Sequence, residues 1–276
     1  MTSTLAGAPS LPAPAGGAEA VPAVRTFAAV LWRDVYVTGK ELPVFLAQVV
    51  LQPLLLLFVF GRILTELGYA RHGYADLLFP GIVALTAVLT SLQGTALPLV
   101  IDFSFTKEIE DRLLAPMPIA WLAVEKMVFG AMRAVAAAVV MFPVGVAVLG
   151  SIPWRASGVP LLVAALLLGS LVGSAIGLTL GTAVTPNRIN VVFALVLLPL
   201  TFTGCSQYPW ESLHRLEWFQ WLTTLNPLTY VSESMRAALV PSVPHIRPWV
   251  SLVMLLLALA VFGTTGIRGF LRRALD

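Results

Sequence analysis

Leu77 to Ile101 reads LLFPGIVALTAVLTSLQGTALPLVI, 25 residues without a charge. An α-helix rises about 1.5 Å per residue, so about 20 apolar residues cross the ~30 Å hydrocarbon core of a bilayer, and this run does so with room to tilt. The rest of the chain points to the same solvent. Of 276 residues, 58% are hydrophobic and only 31 are charged (17 Lys+Arg, 14 Asp+Glu), a share of 11%, where a water-soluble chain carries about a quarter. Working outward, comparable runs cover about 43–61, with Pro53 at the middle and Arg62 closing it, then about 127–152, 159–185, 189–208 and 248–268. Arg133 is the sole charge of the run over 127–152, close enough to its start for the side chain to snorkel towards headgroups. Six transmembrane helices therefore predict an all-α integral membrane fold over 43–270, with little chain left for a catalytic domain.

The flanks follow from composition. Residues 1–23 are rich in Ala, Pro, Gly and Ser with Glu19 their only charge, a mixture that predicts a disordered tail. A basic start is missing and Pro12, Pro14 and Pro22 interrupt any apolar stretch, which argues against a signal peptide. Val24, Phe27, Ala28, Leu31 and Val35 share one helical face while Arg25 and Arg33 lie elsewhere; this predicts a cytoplasmic amphipathic helix in the membrane interface over 24–42, a simple cytoplasmic extension being the other reading. Between the last two crossings, Trp218 to Ser232 is uncharged but only 15 residues long and broken by Asn226-Pro227, so 211–232 predicts a re-entrant or interfacial hairpin before the last helix. Residues 271–276 are a short cytoplasmic tail.

Orientation follows from Lys and Arg. With the N-terminus in the cytoplasm, ten of them fall on that side and six, Arg62, Arg71, Arg155, Arg215, Arg236 and Arg247, on the other. That bias predicts both termini inside, in the cytoplasmic (inner) membrane, and it accounts for the net charge of +3 without nucleic acid. Cys205, alone in an apolar run, reads as a small hydrophobe, and His72, His214 and His245 have no ligand spacing, so no metal site is expected.

Three features bear on mechanism. The connection from Asp102 to Lys126 holds eight charges (Asp102, Lys107, Glu108, Glu110, Asp111, Arg112, Glu125 and Lys126) and is stopped by Pro116 and Pro118. Lys107 and Asp111, and Glu108 and Arg112, sit four apart and support a helix, whose other face carries Ile109, Leu113 and Leu114. Such a helix suits docking into a groove of a soluble partner; a solvated connection is the plainer reading. Gly169, Gly173, Gly177 and Gly181, four apart, let helix backbones approach closely, within the subunit or at a dimer seam. Tyr208, Trp210, Trp218, Phe219, Trp221 and Tyr230 form either a membrane belt or the lining of an exit for an amphipathic molecule.

Six crossings, the interfacial helix, Glu108-Ile109-Glu110-Asp111-Arg112-Leu113-Leu114-Ala115-Pro116-Met117-Pro118 after the second crossing, and Asn226-Pro227-Leu228-Thr229-Tyr230 followed by Met235-Arg236 before the last are similar, in order and spacing, to an ABC-2 type transporter permease. The branch resembled is that of daunorubicin-type drug exporters and nodulation lipooligosaccharide exporters, and the resemblance covers roughly 24–270. It implies that 107–117, with Lys107, Glu108, Glu110, Asp111, Arg112, Leu113, Leu114, Pro116 and Met117, is the coupling helix seated in a separate ATPase subunit. It implies that the turn Pro186-Asn187-Arg188 lies near the same subunit, and that Trp218, Trp221, Asn226, Pro227 and Tyr230 belong to a hairpin capping the outer end of the pathway. It further implies a homodimer of permeases with two copies of an ABC ATPase, which bind the ATP and Mg, so that this chain has no cofactor of its own.

The residues agree on that last point. A phosphate-binding P-loop needs Gly-x-x-x-x-Gly-Lys-Ser/Thr, and the only Gly-Lys pair, Gly39-Lys40, is followed by Glu41 and has Asp34 where the first glycine belongs. The expected function is thus export of an amphipathic or lipid-linked substrate (drug, glycolipid or lipooligosaccharide) out of the cytoplasm or inner leaflet, without enzymatic activity in this chain. An ion-coupled secondary transporter would usually place acids inside the crossings, and none falls there. A membrane-embedded lipid-modifying enzyme would need acid, base, nucleophile or metal ligands at depth.

Overall fold

The computed structural model describes residues 23–40, 42–70, 73–103 and 118–275. Within them the regular elements are helices, six of which are long and apolar enough to cross a membrane. Helix α1 (Ala23–Lys40) breaks before Pro43, and α2 is the span Pro43–Glu66. Then come α3 (Tyr74–Ile101), α4 (Ile119–Leu149), α5 (Val159–Ala183) and α6 (Ile189–Thr203). Two short helices, α7 (Glu217–Thr224) and α8 (Pro227–Leu239), precede the last span, α9 (Pro248–Leu275). At 13 residues, α8 measures about 20 Å and is too short to cross a bilayer.

Several boundaries differ from the sequence reading, each for a physical reason. The first span runs past Gly61 to Glu66 because Arg62 pairs with Glu66 one turn on (Nε to Oε1, 3.0 Å) and donates to the Val148 carbonyl at 3.1 Å, so the charge does not end the helix. The third starts at Ile119 instead of 127, because Glu125 and Lys126 are buried against neighbouring helices instead of marking an edge in water. The fifth ends at Thr203 instead of 208, where Gly204 and Cys205, the latter at a left-handed φ of 50°, turn the chain. Residues 271–275, read as tail, continue the last helix to Leu275. Arg273 holds that end down by donating to the carbonyls of Gly181, Thr182 and Val184 at 3.0, 3.1 and 3.0 Å, which are the orphan acceptors expected at the end of α5.

Helices α3 and α5 form the centre: 78% and 67% of the residues in their apolar stretches are buried, against 11% for α6 on the flank. What brings them together is the glycine stripe. A Cβ at Gly173 would lie 2.7 Å from the Val88 carbonyl oxygen, one at Gly177 2.4 Å from that of Leu92, and one at Gly181 3.1 Å from that of Ala96. The stripe therefore runs along α3 inside one subunit, at a separation only glycine permits, and Gly169 faces Val231 of α8. Lipid is as apolar as leucine, so this close van der Waals fit is what supplies cohesion. Leu78, Phe79, Ile82, Leu85, Leu92 and Met141 fill the space around the contact.

Candidate functional site

Three polar regions are built into this apolar bundle. The first lies at the end carrying α1. Lys126 on α4 donates from Nζ to Asp34 Oδ2 on α1 at 3.1 Å and sits 3.8 Å from Asp102 Oδ2, directly after α3. All three side chains are nearly buried. Such a cluster is costly to desolvate and holds only with its partners in place, so it ties α1 and the two ends of the connection 104–117 into one unit. The residues read as the coupling helix, Lys107, Glu108, Glu110, Asp111, Arg112, Leu113, Leu114, Pro116 and Met117, lie outside the described residues. The turn Pro186–Arg188 is at the same end, between α5 and α6, with Asn187 and Arg188 exposed. Asp34 carried no signal in the sequence beyond breaking the P-loop pattern; its partner is 92 residues away.

The second region is a cleft along α2, opening between it and α3, α4 and α6. Its inner part, a cavity of about 270 Å³, is lined by Phe45, Gln48, Gln52, Thr90, Gln93 and Arg133, among others. It adjoins cavities of about 370 Å³ and about 500 Å³ that share Gln52 with it. The last of these reaches Thr201 and Gln207 at the opposite end of the bundle. The guanidinium of Arg133 lies over the rings of Phe45 (4.1 Å to the centroid) and Phe129 (5.8 Å), a cation–π sandwich. Its Nε is buried without a hydrogen-bond partner among the described residues. Beside the cavity, α2 widens into a π-helical stretch, Leu57–Ile63.

The third region is at the end carrying α7 and α8, where every residue of α8 is buried. Glu233 and Arg236, one turn apart, form an ion pair with no solvent exposure. Glu233 accepts from the Trp210 amide at 3.0 Å and the Ile246 amide at 3.1 Å, while Arg236 donates to the carbonyls of Cys205 (3.0 Å) and Leu77 (3.4 Å). One pair thus fastens the start of α3, the end of α6, the turn at Trp210–Arg215 and the approach to α9. Arg236, counted from the sequence among outer-surface charges, is instead wholly enclosed. The one sequence signal was the Glu-x-x-Arg spacing, which places both on one helix face.

Asn226 and Pro227, read as an interruption, start α8. The Asn226 side chain accepts from the Leu228 amide at 2.9 Å, as an N-cap does, and donates to the Leu200 carbonyl and Thr203 Oγ1 at 2.8 and 2.9 Å. Tyr230 donates to the Thr224 carbonyl at 2.8 Å. Trp218 and Trp221 are 70% and 74% exposed on α7 and are not among the residues lining the cleft. The turn after α6 seats tightly on α3: a Cβ at Gly81 would fall 1.8 Å from the Ser206 carbonyl oxygen. Burial, with the Glu233 charge adding to it, pushes the Cys205 thiol up to about 11. At pH 7.5 it is neutral and is expected to resist maleimide until the protein is denatured, when labelling should become complete; ready labelling of native protein, read by mass spectrometry, would mean that the turn after α6 opens.

A bundle of six apolar spans with one lateral polar cleft and buried ion pairs at both ends is a multi-pass membrane protein of the permease kind. Residues 25–240 match the family model of the ABC-2 type transporter, and the chain belongs to that family. It is similar to a protein of Cyanophora paradoxa named as a transport permease, ycf38, with 28% identity over 216 residues, covering 75% of this chain and 72% of that relative. The chain is accordingly a membrane permease of an ABC transporter, a family whose members pair with an ABC ATPase subunit.

Proposed function

We propose that this chain is one half of an exporter in the cytoplasmic (inner) membrane, with both termini in the cytoplasm, two copies of a separate ATPase below it and a second copy of itself beside it. Its cargo is an amphipathic or lipid-linked molecule, of the drug, glycolipid or lipooligosaccharide kind, taken from the cytoplasm or inner leaflet. The ATPase subunits hold the ATP and Mg, and this chain has no catalytic step of its own.

The observation that carries this reading is the Asp34–Lys126–Asp102 cluster. Residues 107–117 act as the coupling helix, with Pro186, Asn187 and Arg188 near the same partner. When nucleotide binding closes the ATPases, a displacement of 107–117 moves α1, the end of α3 and the start of α4 together, because parting them would strand a buried charge. The bundle then shifts between two packings that expose the cleft to opposite sides.

Reversing charge at Glu110 and Asp111 together (to Lys) is expected to leave folded permease in the membrane but to lower ATPase co-purification at least tenfold, or to keep the complex while abolishing cargo-stimulated ATP hydrolysis. Unchanged complex formation with unchanged stimulation would remove 107–117 from the coupling role.

A further inference from the structure

The cleft holds polar groups that the protein itself leaves without partners. Gln48 and Gln52, one turn apart on α2, and Gln93 on α3 line the inner cavity, and none of their carboxamides has a hydrogen-bond partner among the described residues. Gln48 and Gln52 are exposed on the cleft side of α2 and Gln93 is half-buried; where such amides meet hydrocarbon, leaving them dry costs several kcal/mol, so the cleft is wetted or occupied by something that hydrogen-bonds. Arg133 faces the same space without an ion pair among the described residues. The residues that line this cavity include no Asp or Glu. A guanidinium inside a membrane normally has a counter-charge, and here the protein provides two aromatic rings within cation–π range instead.

Depth narrows the ligand. Arg133 lies seven residues beyond Lys126 on α4, about 10 Å further along the helix axis, and midway along the span Ile119–Leu149, so a charged head that reaches it is drawn in from the headgroup level of the α1 side. In the adjoining cavities the flanks of α2 and α6 expose Leu51, Leu55, Leu198 and Phe202. A molecule that satisfied every group would carry an anionic head, hydroxyls or amides beside it, and an apolar tail.

We propose that this cleft is the intake site for an anionic amphiphile drawn from the inner leaflet. Arg133 pairs with its phosphate or carboxylate through the planar fork that suits both, and Gln48, Gln52 and Gln93 bond the neighbouring polar groups. The tail rests on the leucines of α2 and α6. Gln52 and Gln93 also line the adjoining cavity that reaches Gln207, whose remaining lining is mostly apolar and suits the tail. This assignment rests on the reading of the chain as a permease for amphipathic cargo and makes that cargo specific in charge.

The test is native mass spectrometry of the full chain in detergent, with dioleoylphosphatidylglycerol, dioleoylphosphatidylcholine and glycerol 3-phosphate as probes. Wild type is expected to retain the phosphatidylglycerol at least tenfold better than the phosphatidylcholine. Arg133→Gln should abolish that preference, Arg133→Lys should keep part of it, and Gln93→Leu should weaken both lipids while leaving the preference. Equal retention of the two lipids by wild type, or an undiminished preference in Arg133→Gln, overturns the site and leaves Arg133 as helix packing against Phe45. Competition by glycerol 3-phosphate as strong as by the lipid overturns the amphiphile and makes this a site for a soluble anion. Thermal unfolding checks that each variant is folded; should Arg133→Gln fail, Arg133→Lys and Gln93→Leu decide. The assay uses neither ATP nor an ATPase, so its failure with the ATPase still co-purifying sinks the site alone, whereas lipid selectivity without any ATPase binding sinks the exporter reading alone.

Discussion

Arg236→Ala is expected to cost about 3–5 kcal/mol of stability, because it leaves the Glu233 carboxylate buried without its counter-charge. Two carbonyls, those of Cys205 and Leu77, lose a donor in the same step. Marginal stability makes such a loss large: little folded protein should survive detergent extraction, and what does should melt well below wild type. Glu233→Gln should be milder, since an amide oxygen still accepts from the Trp210 or Ile246 amide. The double replacement Glu233→Met with Arg236→Met should lose less than either single change to methionine, because both charges leave together and the methionines fill similar volume. Thermal melts of wild type, Glu233→Met, Arg236→Met and the double replacement form a double-mutant cycle. Additive losses would show that the two residues do not act as a pair.

Gly177→Leu is expected to abolish accumulation of folded protein in the membrane. Even the first carbon of the side chain would lie 2.4 Å from the Leu92 carbonyl oxygen and 3.1 Å from Leu92 Cα, and backbone has no rotamer by which to retreat. Leucine would force α3 and α5 apart, opening the contact that most of the core surrounds. Gly177→Ala should already cost about 1–3 kcal/mol as overpacking. Gly39 is the control: nothing lies within 4 Å of a Cβ built there, and Gly39→Ala within α1 should be neutral or stabilising by up to about 1 kcal/mol. Equal expression and melting of Gly177→Leu and wild type would show that the two helices do not meet along the stripe.

Much of this was legible in the residues. The 25 uncharged residues from Leu77 to Ile101 mark a span because lipid offers no partner to backbone or charge, so the choice of solvent is written in local composition. The glycines four apart announce a close helix contact for the same reason, although periodicity alone left open whether the partner was in the same subunit. Boundaries were less legible where charge was misleading: Glu125 and Lys126 read as an end of the membrane yet are buried, and Arg62 continues a helix it was expected to close.

The buried ion pairs lie beyond what a linear reading reaches. Helical spacing states which residues share a face, as with Glu233 and Arg236 or Gln48 and Gln52, but not what that face meets. Whether a charge is solvated, paired or poised depends on groups from distant parts of the chain: Asp34 meets Lys126, and Arg236 meets the carbonyl of Leu77, 159 residues away. Local hydropathy was therefore enough for six spans, since the bilayer acts on each helix separately, while the family resemblance needed the motifs over Glu108 to Pro118 and Asn226 to Tyr230 as well. The turning of Arg133 towards the glutamines of the cleft, and the locking of the two ends, came only from how the helices rotate and pack against one another, because the energy of a charge in an apolar medium is set by its nearest neighbours in space.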